Sequence, residues 1–206
     1  MPRLGVPDGV RAVLYAPTWR DDVYFDASKP QVRLPLDTER FAEVLGEDWM
    51  LLPRLHSMVT DRMPPLHGHG VYDVSWYPEV ADLYLAADVL VTDYSSCMFD
   101  FAVTGKPILY LAPDLDRFRD SVRGFYFDPL PGLPGPLLTE TDQVLDALRD
   151  LDAVQERFAG RYAAFRDTFG SLEDGDSTDR VLQQALGIVV QADPVLGGAA
   201  GSSTAD

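Results

Sequence analysis

The residues with the clearest potential for chemistry form a polar corner between two apolar segments. Asp93-Tyr94-Ser95-Ser96 follows the apolar run 89–91 and precedes a segment with the apolar spacing of a helix. Backbone N–H groups at the start of a helix lack intrahelical partners and attract anions, and adjacent hydroxyls add donors. The corner could therefore bind a phosphate. Alternatively, one serine caps the helix and Asp93 bonds the loop backbone, and spacing alone favours neither interpretation.

Polar or ring-bearing side chains also follow other apolar runs of the chain. They are Thr18, Trp19 and Arg20 after the first run, Arg54 and His56 after the second, and Asp114 after the last. Ligands of parallel α/β sheets bind outside the carboxyl ends of the strands. Because charged or hydroxyl groups occur there together with aromatic or imidazole rings, the sequence predicts one site built from several strand ends.

Each of these candidates has a functional and a structural interpretation. His56 could act as a general base or donate to a phosphate, since its ordinary pKa lies near neutrality, or it could be a structural or exposed histidine. Arg20 and Arg123 could clamp a diphosphate or form salt bridges in an acidic chain. Thr139 and Glu140 precede a predicted helix and could cap it or meet a ribose or phosphate.

The elements that must position these residues alternate between strands and helices. Such alternation predicts an α/β fold, a Rossmann-like parallel sheet with flanking helices. The predicted strands are 13–16, 49–52, 71–74, 89–91 and 108–111, and the predicted helices are 41–45, 78–87, 98–102, 142–150, 153–168 and 178–190. Residues 114–136 are predicted as structured loops. We expect residues 1–190 to form the domain and residues 191–206 to be a disordered tail.

Composition narrows the class of partner. The chain has 206 residues and a formal net charge of −16, which argues against binding nucleic acid or docking electrostatically to an anionic membrane. A local basic pocket remains compatible with this charge. The single cysteine, Cys97, favours a reducing, cytoplasmic compartment. No Gly-rich phosphate loop is present, which excludes a P-loop NTPase and a dinucleotide fingerprint.

Several motifs, in the order in which they occur, resemble the CDP-glycerol glycerophosphotransferase family, which polymerises or primes teichoic acids. The matching segments include Tyr15-Ala16-Pro17-Thr18-Trp19-Arg20-Asp21-Asp22, Arg54-Leu55-His56, Tyr72-Asp73-Val74-Ser75, Asp93-Tyr94-Ser95-Ser96-Cys97-Met98-Phe99-Asp100 and Arg123-Gly124-Phe125-Tyr126. They extend over most of residues 12–182. The combination is specific to the family, whereas any one segment would be a weak signal.

The resemblance implies a GT-B-type architecture, in which two Rossmann-like domains face a cleft, and this chain matches the C-terminal domain that binds the donor CDP-glycerol. His56 matches a family histidine implicated in catalysis or in binding the donor phosphate. The residues expected to bind the donor are Thr18, Trp19, Arg20, Arg54, Asp93, Tyr94, Ser95, Ser96, Arg123, Thr139 and Glu140. No carboxylate cluster occurs at these loops, so neither a metal nor another cofactor is expected.

The chain also departs from the family. A second family histidine lies in a Trp-His-Gly-Thr-Pro-like segment, and nothing before Val13 matches it. We therefore expect the polymer acceptor to be bound by an N-terminal half, and this chain alone to be inactive. The parent enzyme is expected at the cytoplasmic face of the membrane, with peripheral contact only through its other parts.

Two other functions remain open at this point. The chain could be the donor domain of a GT-B glycosyltransferase that uses a nucleotide-sugar, with Glu140 holding the ribose or the sugar. It could instead be a nucleotide-binding module without catalytic activity. A comparison of CDP- and UDP-compounds as ligands would separate the first alternative from CDP-glycerol binding.

Overall fold

One sheet organises the described chain, which comprises residues 5–20, 34–60, 63, 66–125 and 130–188 of a computed structural model. Its seven strands are β1 (Arg11–Ala16), β2 (Trp49–Pro53), β3 (His67–Gly68), β4 (Val71–Tyr72), β5 (Val89–Thr92), β6 (Ile108–Leu111) and β7 (Leu137–Leu138). They are ordered β3-β4-β2-β1-β5-β6-β7, and every neighbouring pair is parallel except β3–β4. Without β3, this is the strand order of the Rossmann fold.

The strand order reverses between β1 and β5. After β1 the chain continues to β2 on one side, whereas β5 pairs with the other side of β1, with Val13 opposite Val89 and Ala16 opposite Thr92. The loops that leave the carboxyl ends of two such strands diverge to opposite faces of the sheet. A crevice therefore opens between them, and it is the usual ligand site of this fold.

Helices follow most strands. They are α1 (Thr38–Leu45), α2 (Ser57–Thr60), α3 (Val80–Ala86), α4 (Cys97–Ala102), α5 (Leu115–Arg117), a π-helical turn (Phe118–Val122), a 3₁₀ turn (Leu130–Gly132), α6 (Thr141–Arg149), α7 (Leu151–Phe169) and α8 (Ser177–Leu186). In the described ranges, no helix combines the length and the apolar character needed to cross a membrane. The predicted α/β class, a parallel sheet with flanking helices, is confirmed.

Both faces of the sheet are covered, which explains why its strands read as continuous apolar runs. On β1, Ala12 and Leu14 belong to the cluster shared with α3, α4 and α7, whereas Val13 and Tyr15 belong to the cluster shared with α1 and α6. All four side chains are at most 1% exposed. Burial on both faces therefore keeps β1 rigid, and the first loop of the crevice leaves from this strand.

The chain divides into two units, Met1–Gly170 and Ser171–Asp206. The sheet and all candidate site residues lie in the first unit. In the second unit, α8 ends at Leu186, and Gly187 adopts a left-handed conformation with a φ of 67°, as is usual for a glycine after a helix. The domain boundary at residue 190 stays a prediction, and the predicted tail lies outside the described residues.

The structure adds elements that the sequence patterns did not indicate. β3, β7 and α2 contain only two to four residues, too few for a periodic signal. The segment predicted as loops, 114–136, contains α5 and the two irregular helical turns. The predicted strands and longer helices occur within a few residues of their expected bounds.

Gly135 allows β7 to approach β6. A Cβ atom at this position would lie 1.7 Å from the carbonyl oxygen of Ile108, whereas a Cβ at nearby Gly132 would meet nothing within 4 Å. The first contact is with backbone and cannot be relieved by a side-chain rotation. The glycine is therefore required for the close packing of the segment that leads into β7.

We predict that Gly135→Ala lowers the free energy of unfolding by about 2 kcal/mol or more, because the backbone of β6 or of the 133–136 segment must move. Gly132→Ala is the matched control and should change it by less than about 0.5 kcal/mol. Urea unfolding of the two variants measures the difference. Equal stabilities would contradict the role assigned to Gly135.

Candidate functional site

A cleft of about 830 Å³ opens beside the carboxyl ends of β1, β5 and β6. This volume is in the range of sites for nucleotide-sized ligands. Its polar or cationic lining includes Thr18, Trp19, His56, Asp93, Ser95, Ser96 and Arg123, and its apolar wall includes Met98, Phe118, Phe125, Leu133 and Leu137. The structure thus brings most of the predicted site residues together at the switch point of the sheet.

One guanidinium group ties together the loops after β1, β5 and β6. Arg20 Nη2 donates to Asp93 Oδ2 at 2.9 Å, and Arg20 Nε and Nη2 donate to the two carboxylate oxygens of Asp114 at 2.8 and 3.0 Å. Arg20 Nη1 donates to the carbonyl oxygen of Thr18 at 2.6 Å. For Arg20, the structure therefore shows the salt bridge that the sequence left as an alternative to a diphosphate clamp.

The second carboxylate oxygen of Asp93 organises the backbone of two loops. Asp93 Oδ1 accepts the N–H of Thr18 at 2.9 Å and the N–H of Tyr94 at 2.5 Å. Its side chain is only 1% exposed, so all its hydrogen bonds must come from the protein. Asp93 consequently sets the spacing between the loop after β1 and the corner after β5.

Tyr94 adds an aromatic layer behind this network. Its ring stacks on Phe118 with a centroid distance of 4.1 Å, and its hydroxyl donates to Asp114 Oδ1 at 3.2 Å. The guanidinium of Arg20 lies 5.0 Å from the ring centroid. Burial, reinforced by the negative charge of Asp114, raises the pKa of the Tyr94 hydroxyl, so the group stays a hydrogen-bond donor.

Asp114 stays ionised in the folded state. Burial alone would raise the pKa of its carboxyl group, but the hydrogen bonds and the charge of Arg20, with further bonds from Arg117 and Tyr94, lower it to about 2. The ordinary value is 3.8. The loop after β6 therefore presents a permanent anion to Arg20.

Unpaired hydrogen-bonding groups remain in the crevice. Thr18 Oγ1 is buried and has no hydrogen-bond partner among the described residues, which is uncommon for a buried polar atom. The side chain of Ser96 forms no capping bond at the start of α4, whereas Ser95 Oγ accepts the N–H of Cys97 at a long 3.4 Å. The cap is thus weak, and the Thr18 and Ser96 hydroxyls are free to meet a ligand.

Cys97 is a core residue and not a nucleophile. Its side chain packs against the core cluster of the sheet, and its Sγ lies 3.5 Å from the hydroxyl of Thr92. Burial raises the pKa of the thiol, so little thiolate forms at neutral pH. This agrees with the expectation from its place in an apolar helix.

An aromatic stack brings an imidazole and a guanidinium to the crevice. The rings of Trp19 and His56 stack with a centroid distance of 5.4 Å, and the guanidinium carbon of Arg123 lies 5.3 Å from the Trp19 ring centroid. His56 Nδ1 accepts the N–H of Met58 at 3.2 Å. Because Nδ1 is an acceptor here, the proton of the neutral ring resides on Nε2.

Besides Arg20, three predicted site residues do not line the cleft. Arg54 Nη1 donates to the carbonyl oxygen of Tyr77 at 2.7 Å. Thr139 and Glu140 follow β7, where their N–H groups donate to the side chain of Gln143 at 2.8 and 3.2 Å. For this pair, the structure shows the helix-capping interpretation that the sequence had left open.

The sequence patterns missed the aromatic wall of the site, and they placed Asp114 at a strand end without giving it a role. Its partner Arg20 lies 94 positions away along the chain, so no local pattern joins the two residues. Phe118 begins the irregular turn that ends at Val122, and Phe125 follows this turn. Only the strand order, which places β1, β5 and β6 side by side, brings Asp114 to Arg20.

The strand order and the cleft define a Rossmann-like domain of the kind that forms one half of GT-B enzymes. Two solved structures of low sequence identity share the fold. A calicheamicin glycosyltransferase gives a TM-score of 0.50 at 12% identity and covers 87% of this chain and 44% of its own. UDP-GlcNAc 2-epimerase from Neisseria meningitidis gives 0.50 at 17% identity and covers 89% of this chain and 46% of its own.

A family model described as CDP-Glycerol:Poly(glycerophosphate) glycerophosphotransferase matches residues 1–187. The chain belongs to this family, as the order of its motifs predicted. The teichoic acid glycerol-phosphate transferase of Staphylococcus aureus is 40% identical over 181 residues, which are 88% of this chain and 46% of that protein. The teichoic acid poly(glycerol phosphate) polymerase of Bacillus subtilis is 36% identical over 182 residues, which are 87% of this chain and 24% of that protein.

Solved structures agree with these relatives. The wall teichoic acid polymerase TagF superposes with a TM-score of 0.78 at 34% identity, over 86% of this chain and 43% of its own. A TagF variant soaked with CDPG superposes with a TM-score of 0.74 at 34% identity, over 86% of this chain and 42% of its own. The chain spans less than half the length of these relatives.

The lowered pKa of Asp114 predicts a pH-dependent contribution to stability. Because the folded pKa lies below the ordinary value, the carboxylate stabilises the fold above about pH 4 and loses this effect as the pH falls toward about 2. At about pH 6, Asp114→Asn should lower the free energy of unfolding by about 2 kcal/mol, and the deficit should shrink at about pH 3. Urea unfolding at the two pH values measures it.

Asp146→Asn is the control, because Asp146 pairs with Arg149 on the surface and its side chain is 74% exposed. This variant should differ from the wild type by less than about 0.5 kcal/mol at both pH values. A deficit for Asp114→Asn that is the same at both pH values would contradict the assigned ionisation.

Proposed function

We propose that this chain binds CDP-glycerol and forms the donor half of a transferase that moves glycerol phosphate to a teichoic-acid-type polymer. The observation that carries the proposal is the crevice at the switch point, where the buried hydroxyl of Thr18 has no partner and lies in the same cleft as Ser95 and Ser96. Membership of the family and the TagF variant soaked with CDPG support CDP-glycerol as the ligand.

The reaction of the parent enzyme would be a phosphoryl transfer. The oxygen of an acceptor hydroxyl attacks the β-phosphorus of CDP-glycerol, and the bond from this phosphorus to the bridging oxygen breaks. CMP leaves with the bridging oxygen, and the proton of the hydroxyl passes to a base. Negative charge grows on the leaving phosphate, so hydrogen-bond donors held in place around it lower the barrier.

The Thr18 hydroxyl and the hydroxyls of Ser95 and Ser96 are the donors that we assign to the diphosphate. Arg123, which lies over Trp19 at the cleft, adds a positive charge. Arg20 supports these donors without contacting the diphosphate, because its hydrogen bonds go to Asp93, Asp114 and the Thr18 carbonyl. In the described part of the chain, the cleft then offers these hydroxyl donors and the Arg123 guanidinium to an anionic ligand.

His56 would hold the transferred phosphate. Its Nδ1 already accepts the N–H of Met58, so the neutral ring offers Nε2–H as a donor and has no vacant nitrogen to take a proton. Stacking on Trp19 keeps the ring plane fixed. The base for the acceptor proton would then come from another part of the parent enzyme.

The acceptor polymer would be bound by residues beyond these 206, since the matched residues make up only 46% and 24% of the two relatives. We propose that the parent enzyme works at the cytoplasmic face of the membrane, where a nucleotide-activated donor is available. Glu140 and Thr139, next to β7, and Arg54 remain proposed contacts to the outer part of the donor.

Thr18→Val tests the donor site directly. Valine keeps the shape of threonine and removes a buried hydroxyl that has no hydrogen-bond partner among the described residues. We expect unchanged or higher thermal stability and CDP-glycerol binding that is about tenfold weaker, because the hydroxyl is satisfied only by the ligand. Calorimetric titration of wild type and variant, with thermal melts of both, measures the two effects.

Thr168→Ala is the matched control, since the Thr168 hydroxyl bonds Ala164 on exposed α7 and does not line the cleft. Titration of UDP-GlcNAc tests the nucleotide-sugar alternative. Binding of UDP-GlcNAc in preference to CDP-glycerol would overturn the donor assignment, and equal CDP-glycerol affinity of wild type and Thr18→Val would remove Thr18 from the site.

His56→Phe separates the two roles of the histidine. Phenylalanine preserves a ring that can stack on Trp19 but lacks the Nε2–H donor. If His56 holds the donor phosphate, CDP-glycerol affinity should fall about tenfold, because a hydrogen bond to a charged group is lost. His56→Gln, which retains an N–H donor, should fall less. Calorimetric affinities for both variants that equal the wild type would contradict the assignment of His56 to the donor phosphate.

A further inference from the structure

Asp114 is the hydrogen-bond partner of Arg20 that lies on the loop after β6. Its two oxygens accept from Arg20 Nε and Nη2, and Oδ1 also accepts from the Tyr94 hydroxyl. Arg117 Nη2 donates to Oδ2 at 3.1 Å. No motif of the sequence pointed to this role, and Asp114 does not line the cleft.

The geometry of Arg20 makes Asp114 the partner that sets its orientation. A guanidinium fork bound by both oxygens of one carboxylate has a fixed plane. With its plane fixed by Asp114, Arg20 has its remaining donors directed at Asp93 Oδ2 and at the carbonyl of Thr18. The loop after β6 therefore determines the position of groups on the loops after β1 and β5.

These groups are the ones that support the donor site. Asp93 Oδ1 holds the N–H groups of Thr18 and Tyr94, and the residues that follow Tyr94 are Ser95 and Ser96. A shift of Asp93 would move the Thr18 hydroxyl and the serine corner relative to each other. Arg20 also neutralises Asp93, which would otherwise face the diphosphate as an unpaired buried anion.

We propose that Asp114 is a positioning residue for donor binding, which acts through Arg20 and Asp93 to hold the Thr18 hydroxyl against the Ser95–Ser96 corner. The inference rests on the proposed function for the identity of the ligand. It adds a residue from the loop after β6 that contacts neither the ligand nor the reacting atoms. Its effect on the donor is indirect, so it should be coupled to the residues that make the contacts.

The test is a double-mutant cycle of Asp114→Asn and Thr18→Val in the 206-residue chain, with CDP-glycerol affinity measured by calorimetry at neutral pH. Asparagine replaces one acceptor oxygen with an N–H₂ group that faces Arg20 or Tyr94, so the bidentate fork is lost. Asp114→Asn should weaken binding about tenfold. Two independent tenfold effects would multiply to about a hundredfold loss, and the double variant should lose much less than that. Asp114→Glu, which restores the charge and both acceptors, should recover part of the affinity.

Two controls separate positioning from general stability. Asp146→Asn removes an exposed carboxylate from an ion pair and should leave the affinity within about twofold of the wild type. Titrations are run well below the melting temperature of each variant, so that loss of folded protein does not mimic loss of affinity. Unchanged affinity of Asp114→Asn, or a double variant whose effect equals the product of the single effects, would overturn the proposal.

Hydrogen exchange of the unliganded chain tests the role of Asp114 independently of the proposed function. The Thr18 and Tyr94 amides, both bonded to Asp93 Oδ1, should exchange faster in Asp114→Asn than in Asp146→Asn, while amides of β5 are unchanged. If the wild-type chain fails to bind CDP-glycerol, the proposed function is wrong. In that case the exchange rates alone test whether Asp114 positions Asp93 through Arg20, and equal rates in the two variants would refute it.

Discussion

A buried ion pair between Arg20 and Asp93 is the interaction on which the cleft depends. Asp93 lies directly after β5, and Arg20 lies four residues after β1, so the pair joins the two strands between which the order of the sheet reverses. Loss of Arg20 would leave Asp93 as an uncompensated charge in the interior, at a cost of about 3–5 kcal/mol. The pair therefore ties the loop after β1 to the corner after β5 beside the cleft.

The chemistry of the site follows from what this pair leaves unsatisfied. Its own polar atoms are paired within the protein, whereas the Thr18 hydroxyl, on the same loop as Arg20, is not. Preorganised donors without protein partners cost free energy in the unliganded state and return it when a ligand accepts from them. A cleft whose base is rigid and whose surface donors are unsatisfied suits an anionic ligand.

The sequence predicted the fold class and the polar residues that line the cleft, because both depend on local patterns. Apolar runs marked β1, β2, β5 and β6, and polar residues directly after them marked the edge of the sheet where ligands bind. The function of Arg20 could not be predicted in this way, since its partners are distant along the chain and only the strand order brings them together. For Thr139 and Glu140, by contrast, the local pattern was compatible with both a helix cap and a ligand contact. Their hydrogen bonds with Gln143 support the helix cap.

One side of the cleft comes from a single short stretch of the chain. Leu133 and Leu137 flank Gly135 in the segment that packs closely against β6, whereas the hydroxyls of the cleft belong to the loops after β1 and β5. Substitutions in that apolar segment can reshape this side of the cleft without disturbing the Arg20 network. In a cleft that holds the proposed donor, a lineage could exchange one activated polyol for another through a few side chains near β7, while the polar groups assigned to the phosphates are inherited unchanged.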